Sequence, residues 1–194
     1  CYFYKNNKFK LSNISQDLAN NYNLQNILAA YIVCRFLKIP ISFFKNSIKK
    51  FKGLPYRSSI VYKSNSKLII NNSKATNISS ALSTLENKKN IYLILGGIAK
   101  EKDFDQFKIF KKNINQIYIY GKSRLLINKK INLFNISKIF INLNQVIDCL
   151  WDDVALLDEQ STIIFAPACA SFDQFENFEK RGSFFNQLIF NKIK

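Results

Sequence analysis

At 194 residues, 47% of them hydrophobic and 14% aromatic, the chain can bury a core of its own, and this composition excludes a disordered polar segment. No run approaches the roughly 18 uninterrupted apolar residues of a membrane helix, and no signal peptide is visible. His is absent and the four cysteines (Cys1, Cys34, Cys149, Cys169) are scattered, which excludes a zinc site and predicts reduced thiols. The formal charge of +16 is dispersed among Asn and Ile, the residues AT-rich codons encode, so neither a nucleic-acid partner nor a membrane is expected.

The chain contains no Met and begins in mid-pattern, which reads as part of a longer protein. Residues 2–11 alternate loosely and predict a short strand pair. Asn23 to Lys38 reads as a helix with a broad apolar face of Ile27, Leu28, Tyr31, Ile32, Cys34, Phe36 and Leu37. Pro40 ends it and suits the start of a second helix, Ile41 to Phe51. Gly53-Leu54-Pro55 then breaks the pattern, so residues 1–53 are expected to be the tail of one domain and 54–194 a second domain.

Beyond that boundary "SSIVYK", "KLIIN", "NIYLILGG", "QIYIYG" and "STIIFAP" read as short strands. Helical stretches fall between or after them, near residues 76–88, 103–112, 123–129, 142–151 and 172–190. This alternation predicts an α/β fold, a mostly parallel sheet with helices on both faces. In such sheets ligands bind outside the carboxyl ends of the strands.

The unusual segments fall there. "INNSKATN" (Ile70 to Asn77) follows a strand and opens a helix, so Ser73, Lys74 and Thr76 offer hydroxyls and a cation where a helix dipole favours an anion; a plain Ser/Thr cap with a solvated Lys is the alternative. "LILGGIAKEKDF" ends a buried strand in Gly96-Gly97 with Lys100 after it, either a close backbone approach to a ligand or an ordinary turn. "FAPACASFDQFENFEKRG" leads through Ser171 into an expected helix bearing Phe172, Phe175 and Phe178 as a stripe. Arg181-Gly182 is expected to end that helix. In "NNYNLQN", Asn23 and Asn26 lie three apart, suited to a purine edge or, for Asn23, to capping. Arg57 in "FKGLPYR" follows the break, placed to hold a nucleotide or simply solvated.

Taken in order, "NYNLQNILAA", "FKGLPYR", "INNSKATN", "LILGGIAK" and "PACASFDQFENFEKRG" resemble successive signatures of the Mur ligase family, specifically its D-glutamate-adding members, from about residue 20 to 190. The resemblance implies a Rossmann-like C-terminal Mur ligase domain preceded by the helical tail of the central ATPase domain. It implies a monomeric cytoplasmic bacterial enzyme that uses ATP and Mg2+ to join D-glutamate to UDP-N-acetylmuramoyl-L-alanine through an acyl phosphate, with the phosphate and metal ligands lying before Cys1. Asn23 and Asn26 match adenine-side asparagines, Arg57 an arginine at the ribose. Lys74, Thr76, Lys100, Ser171 and the backbone at Phe178 match groups that hold the D-glutamate carboxylates, Lys74 and Lys100 counting as catalytic. Tyr22 and Tyr56 replace the usual His, Asn20 the usual Gly, and Asn72 an acid that meets the ATP ribose. Another Mur or folyl-polyglutamate-type ligase, or a basic binding remnant without catalysis, are the alternatives.

Overall fold

The computed structural model describes residues 2–4, 7–9, 21–51, 53–155 and 160–193. Cys1, Asn20 and the end of the expected strand pair at residues 10 and 11 lie outside them, and the side chains of Tyr22 and Asn23 are likewise not described. The chain divides into two compact units, Cys1–Leu54 and Pro55–Lys194.

In the first unit, β1 (Tyr2–Tyr4) pairs antiparallel with β2 (Asn7–Phe9). α1 (Asn21–Phe36) and α2 (Ile41–Lys50) follow, α2 entered through Pro40 in an extended conformation. α1 ends two residues before the expected Lys38, which adopts a left-handed φ of 58°. Of the broad apolar face expected on α1, Ile27 and Tyr31 are buried, Tyr31 against Phe44 of α2 with ring centroids 5.5 Å apart. Phe36 and Leu37 are exposed.

The second unit is built on a six-stranded sheet in the order β3-β4-β8-β5-β6-β7. β3 (Ser59–Lys63) runs antiparallel to β4 (Lys67–Asn71) at one edge. β4, β5 (Ile91–Gly96), β6 (Ile114–Tyr120), β7 (Ser137–Ile139) and β8 (Ser161–Phe165) are all parallel. β7 was not anticipated: three residues beside a short 3-10 turn carry too little alternation to read as a strand.

The period-two pattern decides which face each side chain takes. Leu93, Leu95, Ile117, Ile119 and Ile164 point to the face covered by α3 (Ile78–Leu85), α4 (Arg124–Ile131) and the 3-10 segment Phe104–Phe110. Tyr92, Ile94, Tyr118, Tyr120, Ile163 and Phe165 point to the other, covered by α5 (Leu143–Ala155) and α6 (Phe178–Ile193). Both faces being covered, β5 and β8 are buried along their whole length. α5 starts on a reciprocal cap: Asn142 Oδ1 accepts from Gln145 N (3.1 Å), and Gln145 Oε1 accepts from Ile141 N (3.0 Å).

The architecture is therefore the mostly parallel, two-face-covered α/β sheet expected. Its one large departure concerns α6, which begins at Phe178 rather than near residue 172. Asn177 caps it, its Oδ1 accepting from Lys180 N at 2.7 Å. Residues before it are spent on turns, with Ser171 O accepting from Gln174 N and Phe175 N. Ser171 consequently does not open a helix, and the Phe172-Phe175-Phe178 spacing is not a helical stripe; Phe172 is 68% exposed. Arg181-Gly182 lies near the start of α6, not at its end, and both residues are buried.

Candidate functional site

The loops after β4, β5, β6 and β8 meet at the carboxyl edge of the parallel strands. Asn71, the last residue of β4, is fully buried and ties that edge to α6: its Nδ2 donates to Gly182 O (2.9 Å) and Asn186 Oδ1 (2.7 Å), and its Oδ1 accepts from Ser73 N (2.9 Å). Ser73 then turns inward, its hydroxyl donating to Phe178 O at 2.8 Å and accepting from Arg181 Nε at 3.1 Å. This removes Ser73 from the anion-facing set of the SKATN segment. A short polar side chain next to a buried Arg satisfies protein groups before it can serve a ligand.

Lys74 and Thr76 remain half-exposed. The Lys74 ammonium lies 4.1 Å from the centroid of the Phe178 ring, at the first residue of α6. The aromatic face attracts the cation and places it beside the positive end of a 16-residue helix, where an anion is favoured twice over. α3 begins at Ile78 with Asn77, not Thr76, as its cap. Its first N–H group is already taken: Ile78 N donates to Glu101 Oε2 at 2.8 Å.

Lys100 is exposed on the loop after β5, and that loop is fixed on both sides. Ile98 and Ala170 form an antiparallel bridge between the loops after β5 and β8, and Ala99 N donates to Ser123 Oγ at 3.0 Å. Gly97 permits this approach: it adopts φ +124°, and a Cβ there would run into Ala170 O. Ser171 is buried on the β8 loop, two residues after Cys169.

The expected site residues thus fall into groups. Lys74, Thr76, Lys100, Ser171 and Phe178 lie on segments stitched to one another by these bonds. Asn72 stands beside them, 7% exposed, its Nδ2 donating to Thr84 Oγ1 at 2.7 Å. Arg57 is exposed, next to Tyr56, whose carbonyl accepts from Lys74 N at 3.0 Å and whose ring packs against Gly182. Asn23 and Asn26 are in the first unit, on α1. Asn26 is exposed, and Asn23 falls inside the first turn of the helix rather than at a cap.

The sequence motifs miss Arg181, Asn71, Glu101 and Asp173. Asp173 Oδ2 accepts from Lys122 N at 2.9 Å and pins the β6 loop to the β8 loop. Arg181 is 0% exposed, and its guanidinium donates to Ser73 O (2.8 Å), Cys169 O (3.0 Å) and Gly96 O (3.5 Å). The signal for it was in the sequence: Arg181, Phe185 and Ile189 recur every four residues, so a charge occupies the apolar stripe of α6. Burial pushes the neighbouring Cys169 thiol up to about 12 against the opposing pull of Arg181. It also raises the Tyr120 hydroxyl, which has no hydrogen-bond partner among the described residues.

A second polar cluster lies on the same sheet face. Tyr118 OH donates to Asp153 Oδ2 (2.6 Å), and Lys138 Nζ donates to both Asp153 oxygens (2.8 and 2.7 Å). Burial works against the charge of Asp153, but the bonds from Lys138 and Tyr118 prevail and hold its carboxyl below the usual range. The bond to Asp153 raises Lys138.

No protein-family profile matches the chain. The UDP-N-acetylmuramoylalanine–D-glutamate ligase of Francisella tularensis subsp. tularensis (strain SCHU S4 / Schu 4) is 35% identical over 190 residues, 96% of this chain. The chain belongs to the Mur ligase family. The same-named enzyme of Francisella tularensis subsp. novicida (strain U112) is 35% identical over 188 residues, 94% of this chain. This Mur ligase chain spans slightly less than half the length of these relatives, 45% and 44%. Two solved structures share its fold: MurF from Acinetobacter baumannii (TM-score 0.67, 16% identity, 91% of this chain and 39% of that one) and a folylpolyglutamate synthase from Thermotoga maritima (TM-score 0.56, 14% identity, 90% and 40%). Among the described residues, no helix is long and apolar enough to cross a membrane.

Proposed function

We propose that this chain supplies the D-glutamate-binding part, residues 54–194, and the adjoining tail of the ATP-binding part, residues 1–53, of a cytoplasmic ligase. The enzyme joins D-glutamate to UDP-N-acetylmuramoyl-L-alanine. A carboxylate oxygen of the nucleotide substrate takes the terminal phosphoryl group of ATP, releasing ADP. The D-glutamate amine, having shed a proton, attacks the acyl carbon, and the tetrahedral intermediate expels phosphate. The role of these residues is to hold a dianionic amino acid with its amine uncharged and aimed. Lys74, Thr76, Lys100, Ser171 and the backbone at Phe178 take the carboxylates. Asn23, Asn26, Arg57 and Asn72 take the nucleoside. Asn72 suits this because Thr84 engages its Nδ2, which leaves Oδ1 for a ribose hydroxyl.

One observation carries the reading: the Lys74 ammonium stands over Phe178 at the start of α6 and belongs to neither ion pair of the described residues. The names of the 35%-identical relatives supply the amino acid. As the resemblance implies, magnesium and the ATP phosphates are proposed to bind elsewhere in the enzyme, and no step is routed through these residues to them.

The test is ADP release by the full-length enzyme as D-glutamate is varied at saturating ATP and UDP-N-acetylmuramoyl-L-alanine. Losing one partner of a desolvated charge pair costs about 2–5 kcal/mol, so Lys74→Ala should raise the D-glutamate requirement more than about tenfold. Lys67→Ala, a lysine at the opposite end of β4, should behave as the parent. Identical D-glutamate kinetics in all three proteins would take Lys74 out of the site and the D-glutamate reading with it.

A further inference from the structure

The motifs and the resemblance give Arg181 no part in the site, only an expected place at a helix end. It is fully buried, yet among the described residues it pairs with no carboxylate; the ion pairs there are Lys138–Asp153 and Lys192–Asp148. A buried cation without a counter-ion is unfavourable and persists only when hydrogen bonds spread its charge. Here three backbone carbonyls and one hydroxyl do so: Ser73 O, Cys169 O, Gly96 O and Ser73 Oγ.

Each of those carbonyls belongs to a peptide unit whose N–H is also held. Lys74 N donates to Tyr56 O (3.0 Å), Gly97 N to Tyr120 O (3.2 Å) and Ala170 N to Ile98 O (3.0 Å). One guanidinium therefore fixes the inner ends of three peptide planes. They are the plane immediately before Lys74, the Gly96-Gly97 plane that leads to Lys100, and the Cys169-Ala170 plane that leads to Ser171. A lysine cannot reproduce this, because its ammonium is a point charge, whereas guanidinium is a planar fork with five donors.

We propose that Arg181 is the positioning residue of the amino-acid site: without touching the ligand, it sets the spacing of Lys74, Lys100 and Ser171 and thereby the length and handedness of the dicarboxylate that is accepted. This rests on the reading of the site as one for D-glutamate. The two carboxylates of the ligand lie a fixed distance apart, so a loop displaced by an ångström affects the correct ligand more than a poor one.

The experiment uses the full-length enzyme carrying Arg181→Lys and, as a milder lesion of the same hub, Ser73→Ala. Turnover is measured with D-glutamate, D-aspartate and L-glutamate, alongside the thermal unfolding midpoint and the KM for ATP. Arg181→Lys is expected to raise the KM for D-glutamate about tenfold to a hundredfold, to leave the KM for ATP near the parent value, and to lower the preference for D-glutamate over both competitors. Ser73→Ala should shift the same preference in the same direction by a smaller factor, and it decides the matter if the lysine variant does not fold. A residue that only holds the fold would lower the unfolding midpoint and the active fraction but leave the preference ratios at the parent value in both variants; that result overturns the proposal. A parent enzyme that does not use D-glutamate at all would refute the proposed function first. Parent use of D-glutamate with unchanged ratios in the variants refutes the role of Arg181 alone.

Discussion

Tyr118 and Tyr120 lie two residues apart on β6, on the same face of the sheet, in opposite circumstances. The hydroxyl of Tyr118 ends in a cluster that neutralises itself, since Asp153 takes its proton donor and both oxygens of Asp153 meet Lys138. Among the described residues the hydroxyl of Tyr120 has no hydrogen-bond partner, and Arg181 is held by carbonyl dipoles and the Ser73 hydroxyl and pairs with no acid. The first cluster has no charge left to offer, and its contribution is to stability. The second places a buried guanidinium under the loops that carry Lys74, Lys100 and Ser171. It also holds strained backbone, with Tyr56 at φ 59° and Ala168 at φ 58° in the left-handed region. Backbone strain of this kind persists where the surrounding structure fixes it.

That contrast can be broken most severely at Gly97. A Cβ there meets Ala170 O at a backbone angle that other residues rarely adopt, so Gly97→Ala should cost about 3 kcal/mol or more of stability, read by denaturant unfolding. An unfolding midpoint equal to the parent's would show that the two loops are free to separate.

The tyrosines give a smaller and more pointed test. Tyr118→Phe leaves Asp153 short of a donor and should destabilise by about 1–2 kcal/mol. Tyr120→Phe removes a hydroxyl that has no partner among the described residues and should be neutral or stabilising by up to about 1 kcal/mol. Equal losses for the two variants would mean that the Tyr120 hydroxyl is satisfied in solution.

pH separates the clusters further. The carboxyl of Asp153 is held below its ordinary 3.8, so its contribution is present above that value and is lost as pH falls through the folded pKa. Lys138 is raised above 10.5, so its contribution is present below that value and is lost as pH rises through the folded one. Both groups are partly exposed, so the stability difference between the parent and Asp153→Asn should be only about 1 kcal/mol at neutral pH. It should shrink as pH falls below 3.8, while D-glutamate kinetics at neutral pH stay unaltered. A difference that persists undiminished in acid would assign the effect to packing rather than to charge.

The smallest effect is expected at Asn72→Asp. A carboxylate accepting from a ribose hydroxyl gains about 1 kcal/mol or less, at most about fivefold in ATP affinity. The Thr84 hydroxyl must then donate to residue 72, where at present it accepts from Asn72 and donates to Ser80 O. Weaker ATP binding in this variant would place Asn72 with Thr84 as structure only.

The sequence by itself determined five of the six strands of the sheet and the segments that carry chemistry. Strand alternation in "IYLILG" and "QIYIY" assigns side chains to two faces, and breaks at Gly, Pro and Asn mark the strand ends, because both signals are local consequences of backbone geometry. "SKATN", "LGGIAK" and "PACASF" were legible for the same reason, as short motifs at strand ends. Where α6 begins was decided by tertiary structure. The Phe172-Phe175-Phe178 spacing fits a helix as well as it fits turns, and bonds to distant residues, such as Gln174 Nε2 to Ile141 O and Lys122 N to Asp173 Oδ2, join the local turn at Ser171 and the Asn177 cap in holding those residues out of one. The same holds for which polar groups face a ligand. Ser73 and Lys74 are neighbours in one motif, yet Ser73 is turned inward by Arg181, 108 residues further along the chain, and Lys74 is left outside. Hydrogen bonds between such distant residues depend on where the sheet brings their loops, and no local pattern encodes that.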